Sequence, residues 1–173
     1  MKWYAFNDEG ADTVNLLLDH NTTALVQWAS TGTNANGPVE VKTQLESDTS
    51  SWNSTIKNTA RLIEASEIAK ITGYQNWNNN WYYFHTNSTT KYKGASGTNK
   101  YAWLFDNTYN CTKYGCNVAD SSNHGYWTNT AESGYSHVAW SVFFVGDLYS
   151  FSVYHAGNYG VRPVVTISKN ILK

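Results

Sequence analysis

The chain has 173 residues, of which 14% are charged, and a formal net charge of −1; a soluble domain usually carries about 25% charged residues. That length suits one domain that buries a core without staples, and so little positive charge leaves no footprint for nucleic acid. No run of about 18 apolar residues offers a membrane span and no basic-then-apolar leader follows Met1, so direct membrane contact is not expected of this segment.

Lys2-Trp3-Tyr4-Ala5-Phe6 reads as a strand, and "TVNLLLD" at 13–19 as a second, with the turn-like "NDEGAD" between them. The expectation is an opening hairpin. Because the chain starts directly on a strand, it is expected to be cut from a longer, anchored protein. After the "TGTNANG" loop, Pro38 opens "PVEVKTQLES", where Val41 and Leu45 fall four apart and the proline sits in a first helical turn. This predicts a short helix. "ARLIEASEIAKITG" then gives the apolar pair Leu62-Ile63, followed by Ile68 and Ile71 at helical spacing and Gly73 as a stop. This predicts a second helix. From Tyr74 to about Asn123 the chain is rich in Asn, Tyr and Trp with little period, and "NWNNNWYYF" and "YAWLFD" are expected as short strands among long loops.

The last fifty residues are clearer. "GYWTNT" leads to "HVAWSVFFV", the pair Gly146-Asp147, "LYSFSVYH", "AGNYG" and "VRPVVTI", which reads as consecutive strands. With Gly146-Asp147 as a two-residue turn, Trp140, Val142, Phe144, Tyr149, Phe151 and Val153 share one face, and Ser141, Phe143, Val145, Leu148, Ser150 and Ser152 share the other. Neither face is plainly polar. A sheet buried on one face only cannot absorb so many rings, so either some are exposed or the turn is longer than two residues. Exposed rings clustered on one patch mark a binding site.

Catalytic and metal chemistry has little to stand on. His20, His85, His124, His137 and His155 are scattered, without HxxxH or HExxH spacing, and no metal site is expected. There is no phosphate-cradling glycine loop and no GxSxG elbow. Asp19-His20 and Asp106 are the carboxylate and imidazole groups that a serine would need, and spacing alone supplies no geometry for them. The chain is therefore expected not to be an enzyme and to need no cofactor. The calcium-lectin signatures Glu-Pro-Asn and Gln-Pro-Asp are absent, since the prolines are Pro38 and Pro163. Cys111 and Cys116 in "NCTKYGCNVAD" have neither CxxC redox spacing nor a four-ligand zinc set around them. A small-loop disulfide in an oxidising compartment is the favoured reading, fixing mostly its own turn. Sequons at Asn21, Asn53, Asn87 and Asn110 arise readily in an Asn- and Thr-rich chain and carry little weight.

"YWTNT", then "AWSV", "GDL" and a final "GVRPVVTI" resemble the closing segment of the C-type lectin-like domains found in variable proteins of diversity-generating retroelements and in related bacterial and phage surface proteins, often pilin-linked. "LLLDHNTTALVQW" and "ARLIEASEIAKITG" are similar to the earlier part of a gut-bacterial subset, so the likeness spans most of the chain. It departs from the broader family, which includes the formylglycine-generating enzymes, in carrying Gly160-Val161-Arg162 where Gly-Phe-Arg is usual, and in lacking "RGGSW".

The resemblance implies a single α+β domain over residues 1–173, of C-type lectin-like fold with two short helices, antiparallel sheets and long loops, and a hypervariable region at about 133–160. Adenine-directed diversification of AAY codons cannot yield Lys, Glu, Gln, Met or Trp. From Ser133 to Ile167 the chain has no Lys, Glu, Gln or Met, although it has ten, six, three and one of them overall, and Trp140 is the one tryptophan there. Trp140, Val142, Gly146, Leu148, Val153, Gly160, Val161 and Arg162 are then framework. Phe143, Phe144, Asp147, Tyr149, Phe151, Tyr154, His155, Asn158 and Tyr159 are expected as a solvent-facing ligand-binding patch, with Tyr135 and His137 at its edge.

The implied function is a calcium-independent ligand-binding module on a cell or virion surface, recognising a protein or glycan on another cell or host. Two alternatives stand beside it. One is a structural pilin or adhesin subunit whose patch is a subunit interface. The other is a formylglycine-generating-like enzyme, which would use the cysteine pair; here that pair lies well upstream of Gly160-Val161-Arg162 and lacks the family's surrounding motif.

Overall fold

The computed structural model describes residues 1–8, 12–73, 82–83, 101–105, 125–144, 146–157 and 159–172. Among these the protein is a mixed α+β structure with few helices and two sheets. The opening hairpin forms as expected: β1 (Trp3–Phe6) pairs antiparallel with β2 (Thr13–Leu18). The far edge of β2 is taken by the last strand, β8 (Val164–Ser168), so the start and end of the described chain meet in one small sheet ordered β1-β2-β8.

The helices follow their sequence signals. In α1 (Val39–Asp48), which begins directly after Pro38, Val41 and Leu45 are the buried pair. A four-residue helix, α2 (Ser54–Lys57), is too short for periodicity to mark it, and Asn53 caps it by accepting the Thr55 N–H at 2.9 Å. The third helix, α3 (Ala65–Thr72), is fixed at its start by Glu67. Its carboxylate accepts the Glu64 N–H at 2.9 Å and takes both Arg61 guanidinium nitrogens at 2.7 Å. It ends at Gly73, in the left-handed conformation. "YAWLF" is not a strand: Ala102–Leu104 forms a 3-10 turn. The two residues Tyr82–Tyr83 are the part of "NWNNNWYYF" described as a strand, β3.

The larger sheet is ordered β3-β6-β5-β4-β7, with β4 (Gly125–Ala131), β5 (Val138–Phe143), β6 (Asp147–Ser152) and β7 (Tyr159–Gly160). All pairs in it are antiparallel except β4 with β7. The expected two-residue turn is corrected here. Phe143 pairs with Asp147, so the β5–β6 turn has three residues and ends on Gly146, whose N–H returns to the Phe143 carbonyl at 2.9 Å. Gly146 has φ +88°, a left-handed value that closes such a turn without a Cβ clash.

One extra residue in a turn exchanges the two faces of the strand that follows. Trp140, Val142 and Leu148 therefore share a face and are buried together with Phe6, Leu17, Ile63, Ile68, Leu104 and Tyr126. Ala139, Ser141 and Phe143 share the opposite face with Phe151, Tyr149 and Asp147. That side is covered by a second core of Trp28, Val41, Leu45, Leu62, Trp127, Val153, Tyr159 and Val161. Both faces of the sheet are buried, which explains why neither reads as polar. Adjacent residues feed opposite cores, as with Leu62 and Ile63 or Tyr126 and Trp127.

Two devices tie these layers together. The β4–β5 register shifts between Trp127 and Ala131. In that interruption Asn129 donates its backbone N–H to Ile63 O at 2.9 Å, and Thr130 Oγ1 accepts the Ala65 N–H at 2.9 Å and donates to Glu64 at 2.6 Å. The second device is Arg162, fully buried, which donates Nε to Leu18 O at 2.6 Å, Nη1 to Leu104 O at 2.8 Å and Nη2 to Trp103 O at 2.9 Å. Its guanidinium also lies 5.2 Å from the centroid of the Tyr126 ring. The framework positions Trp140, Val142, Leu148, Val153 and Val161 are buried with it.

Candidate functional site

The face of the larger sheet that carries Phe143, Tyr149 and Phe151 is where the rings gather. Tyr159, brought in by the two-residue parallel strand β7, lies at the centre, with Trp127 behind it at 4.5 Å between centroids. Phe151 stands 5.3 Å and Phe143 5.9 Å from the Tyr159 ring. Phe144 extends the group from Phe143 at 4.2 Å, and Tyr149 from Phe151 at 5.9 Å. His155 closes it, edge to face with Phe151 at 4.9 Å and 89° between planes. Phe143–Phe144 apart, these separations lie in the range of about 4.5 to 7 Å at which aromatic pairs attract beyond simple burial.

Six of the expected patch residues are thus one continuous ring cluster: Phe143, Phe144, Tyr149, Phe151, His155 and Tyr159. Their exposure differs from the expectation. Phe143, Phe144, Tyr149, Phe151 and His155 are half-buried, whereas Tyr159 and Asp147, expected at the surface, are buried at 0% and 4% exposure. The turn length places Asp147 on the face that the second core covers, and the parallel pairing of β7 with β4 carries Tyr159 into that core. Tyr159 is therefore the root of the cluster and the other rings are its rim.

Tyr135, His137 and Tyr154 are exposed and stand apart from the rim. Tyr135 and His137 face each other at 6.2 Å. They connect to the patch through the backbone, where the Val153 N–H donates to His137 O at 3.0 Å. Tyr154 lies beside Gly32 and its carbonyl accepts Gln27 Nε2 at 2.6 Å. Asn158, Cys111 and Cys116 lie outside the described residues, as do His85, His124, Asp106, Val145 and the sequons at Asn87 and Asn110. Of the other two sequons, Asn53 is exposed, but Asn21 is buried and donates to Gly125 O at 2.9 Å, so its side chain is not a glycan acceptor in the folded chain.

The electrostatics of the site are quiet. From 133 to 161 the chain has no Lys or Arg, and Asp147 is its one carboxylate. Burial pushes the Tyr159 hydroxyl far above the usual phenol range, and Tyr149 and Asp147 nearby push it the same way. It stays a neutral phenol at any physiological pH. Ser141, also buried, spends its proton on Tyr149 O at 2.8 Å. The arrangement is suited to apolar and hydrogen-bonded contact rather than to a charged ligand.

Other chemistry is sparse. Asp19 and His20 do pair, Oδ1 to Nδ1, at 2.5 Å. Among the described residues no three His, Cys, Asp or Glu side chains come together as metal ligands would, and no helix is long and apolar enough to cross a membrane. Trp127 and Ser141 belong to the site and were not singled out from sequence. The available signal was the "GYW" start of a strand, which reads equally well as ordinary core.

Neither family models, curated proteins nor solved structures offer a match to this chain.

Proposed function

We propose that the chain is a calcium-independent ligand-binding module of C-type lectin-like fold, displayed on a cell or virion surface, whose aromatic patch recognises a protein or glycan on another cell. The observation that carries this reading is the continuous cluster of half-buried rings around Tyr159, in a stretch without a single Lys or Arg. Rigid rings give large contact area at small entropic cost, and a neutral rim favours apolar contact with a few hydrogen bonds. The fold part of the proposal is supported by the α+β elements in their order, helices before a run of strands that closes on Gly160-Val161-Arg162.

Sequencing the gene segment for residues 133–165 across the source population, with its flanking DNA, tests the diversified part. Substitutions clustered at adenines of the rim codons, with a template repeat and reverse transcriptase nearby, are the expected result. An invariant segment without such a cassette removes diversification and leaves a fixed interface. Sedimentation then decides what the interface meets: a monomer retains the receptor reading, whereas self-association lost in Tyr149→Ser/Phe151→Ser makes the patch a subunit contact of a pilin or adhesin.

A further inference from the structure

The rim contains one side chain whose neutral tautomer is fixed by geometry. The Gly157 backbone N–H donates to Nδ1 of His155 at 3.0 Å. A backbone N–H has only a proton to offer, so Nδ1 must hold a lone pair there, and in the neutral ring the proton sits on Nε2. Nε2 makes no hydrogen bond among the described residues, nor is it a buried atom left without a partner. The His155 side chain is half-buried, so part of the ring meets solvent. The ring is held from a second side by Phe151, edge to face at 4.9 Å.

Position 157 is what lets the imidazole come so close. A Cβ there would stand 2.7 Å from His155 Cε1, inside any normal contact, so a larger residue would push the ring off its bond. The sequence "HAG" at 155–157 is a local clip: an imidazole accepting from the backbone two residues on, over a residue without a side chain.

From this we infer that His155 is the specificity-determining hydrogen-bond donor of the patch, locked in its Nε2–H form, and that the ligand presents an uncharged acceptor, a carbonyl or hydroxyl oxygen, beside an apolar or ring surface. The inference rests on the patch being the binding site and deepens it. The neighbouring chemistry agrees. Between residues 133 and 161 the titratable side chains are Tyr135, His137, Asp147, Tyr149, Tyr154, His155 and Tyr159, and none is Lys or Arg. Tyr159 is buried and Ser141 is committed to Tyr149 O, so neither offers a donor at the surface. An acidic ligand would find no positive side chain in this stretch, whereas a neutral oxygen finds the Nε2–H proton with ring surface next to it.

The test uses the full chain labelled with 15N in histidine and glycine. At neutral pH His155 is expected to show an unprotonated Nδ1 and a protonated Nε2, and the Gly157 amide is expected to titrate in step with the imidazole, because protonating Nδ1 abolishes the bond. Two ring probes, acetophenone and ethylbenzene, then differ by one carbonyl acceptor. Acetophenone is expected to bind more tightly by about 2- to 10-fold, the range of one net hydrogen bond, and to shift the Nε2 resonance. His155→Phe is expected to erase that preference while keeping ring contact with both probes. Gly157→Ala, in which His155 remains but its clip is blocked, is expected to reduce the preference and to move the tautomer populations.

A protonated Nδ1 in the neutral ring, or a Gly157 amide indifferent to the His155 titration, overturns the lock. Equal binding of the two probes by the natural chain overturns the donor role alone. Binding of neither probe overturns the donor role together with the recognition reading beneath it.

Discussion

Arg162, fully buried, commits all three guanidinium nitrogens to backbone carbonyls. Removing a guanidinium with three nitrogens on three backbone carbonyls takes a donor from Leu18 O, Trp103 O and Leu104 O, of which Leu104 O still holds the Tyr126 hydroxyl. Arg162→Met is therefore expected to lower stability by about 3 to 5 kcal/mol, read as a drop in the urea midpoint at constant slope. Tyr126, over which that guanidinium lies, makes a pH prediction. Its hydroxyl donates to Leu104 O at 2.5 Å and burial pushes its pKa up to about 12 from 10.0. The unfolded chain ionises this phenol near pH 10 while the folded chain does not, so its contribution is complete below pH 10 and lost as pH rises through about 12. The loss is on the order of 2 to 3 kcal/mol, in the same direction as that from buried Tyr159. Urea midpoints between pH 8 and 11.5 are expected to fall less steeply in Tyr126→Phe than in the natural chain; equal slopes would mean that another group sets the alkaline limit.

The β5–β6 turn decides which rings belong to the core and which to the rim. Gly146→Ala places a Cβ at φ +88° and is expected to cost about 1 to 2 kcal/mol, with Gly146→Asn costing less because Asn tolerates left-handed backbone. Thermal unfolding of the pair checks this; equal losses would locate the cost elsewhere than in the turn. The same turn marks the limit of what was legible beforehand. Pro38 with Val41 and Leu45, and Gly73 after Ile68, name their helices because local spacing and capping determine them. "FFVGDL" fits a two- or a three-residue turn equally well, and the choice is made by the burial of Trp140, Val142 and Leu148 against residues far away in sequence. The rings of the site were legible as residues, but not the burial of Tyr159, which depends on a two-residue parallel pairing with Gly125 and Tyr126. Helix α2 and the 3-10 turn at Ala102–Leu104 are shorter than any period that would reveal them.

At the scale of the whole molecule the cluster has a root, Tyr159, inside the second core and a half-buried rim, of which Phe143 and Phe151 also pack against that core. If the patch is the recognition surface proposed above, Tyr149→Ser/Phe151→Ser, which removes two half-buried rim rings, is expected to abolish binding while the chain stays folded, at a cost of about 1 to 3 kcal/mol from lost packing. Near-ultraviolet circular dichroism together with binding to receptor-bearing cells separates the outcomes. Retained binding would take these rings out of the recognition surface. The root behaves otherwise, because Tyr159 touches Trp127, Phe143 and Phe151 at once and lies wholly inside. Substitutions at Phe144, Tyr149 or His155, which are half-buried, are accordingly expected to disturb the packing below less than one at Tyr159. Tyr159 is the one ring of the cluster whose loss would open a hole beneath all the others.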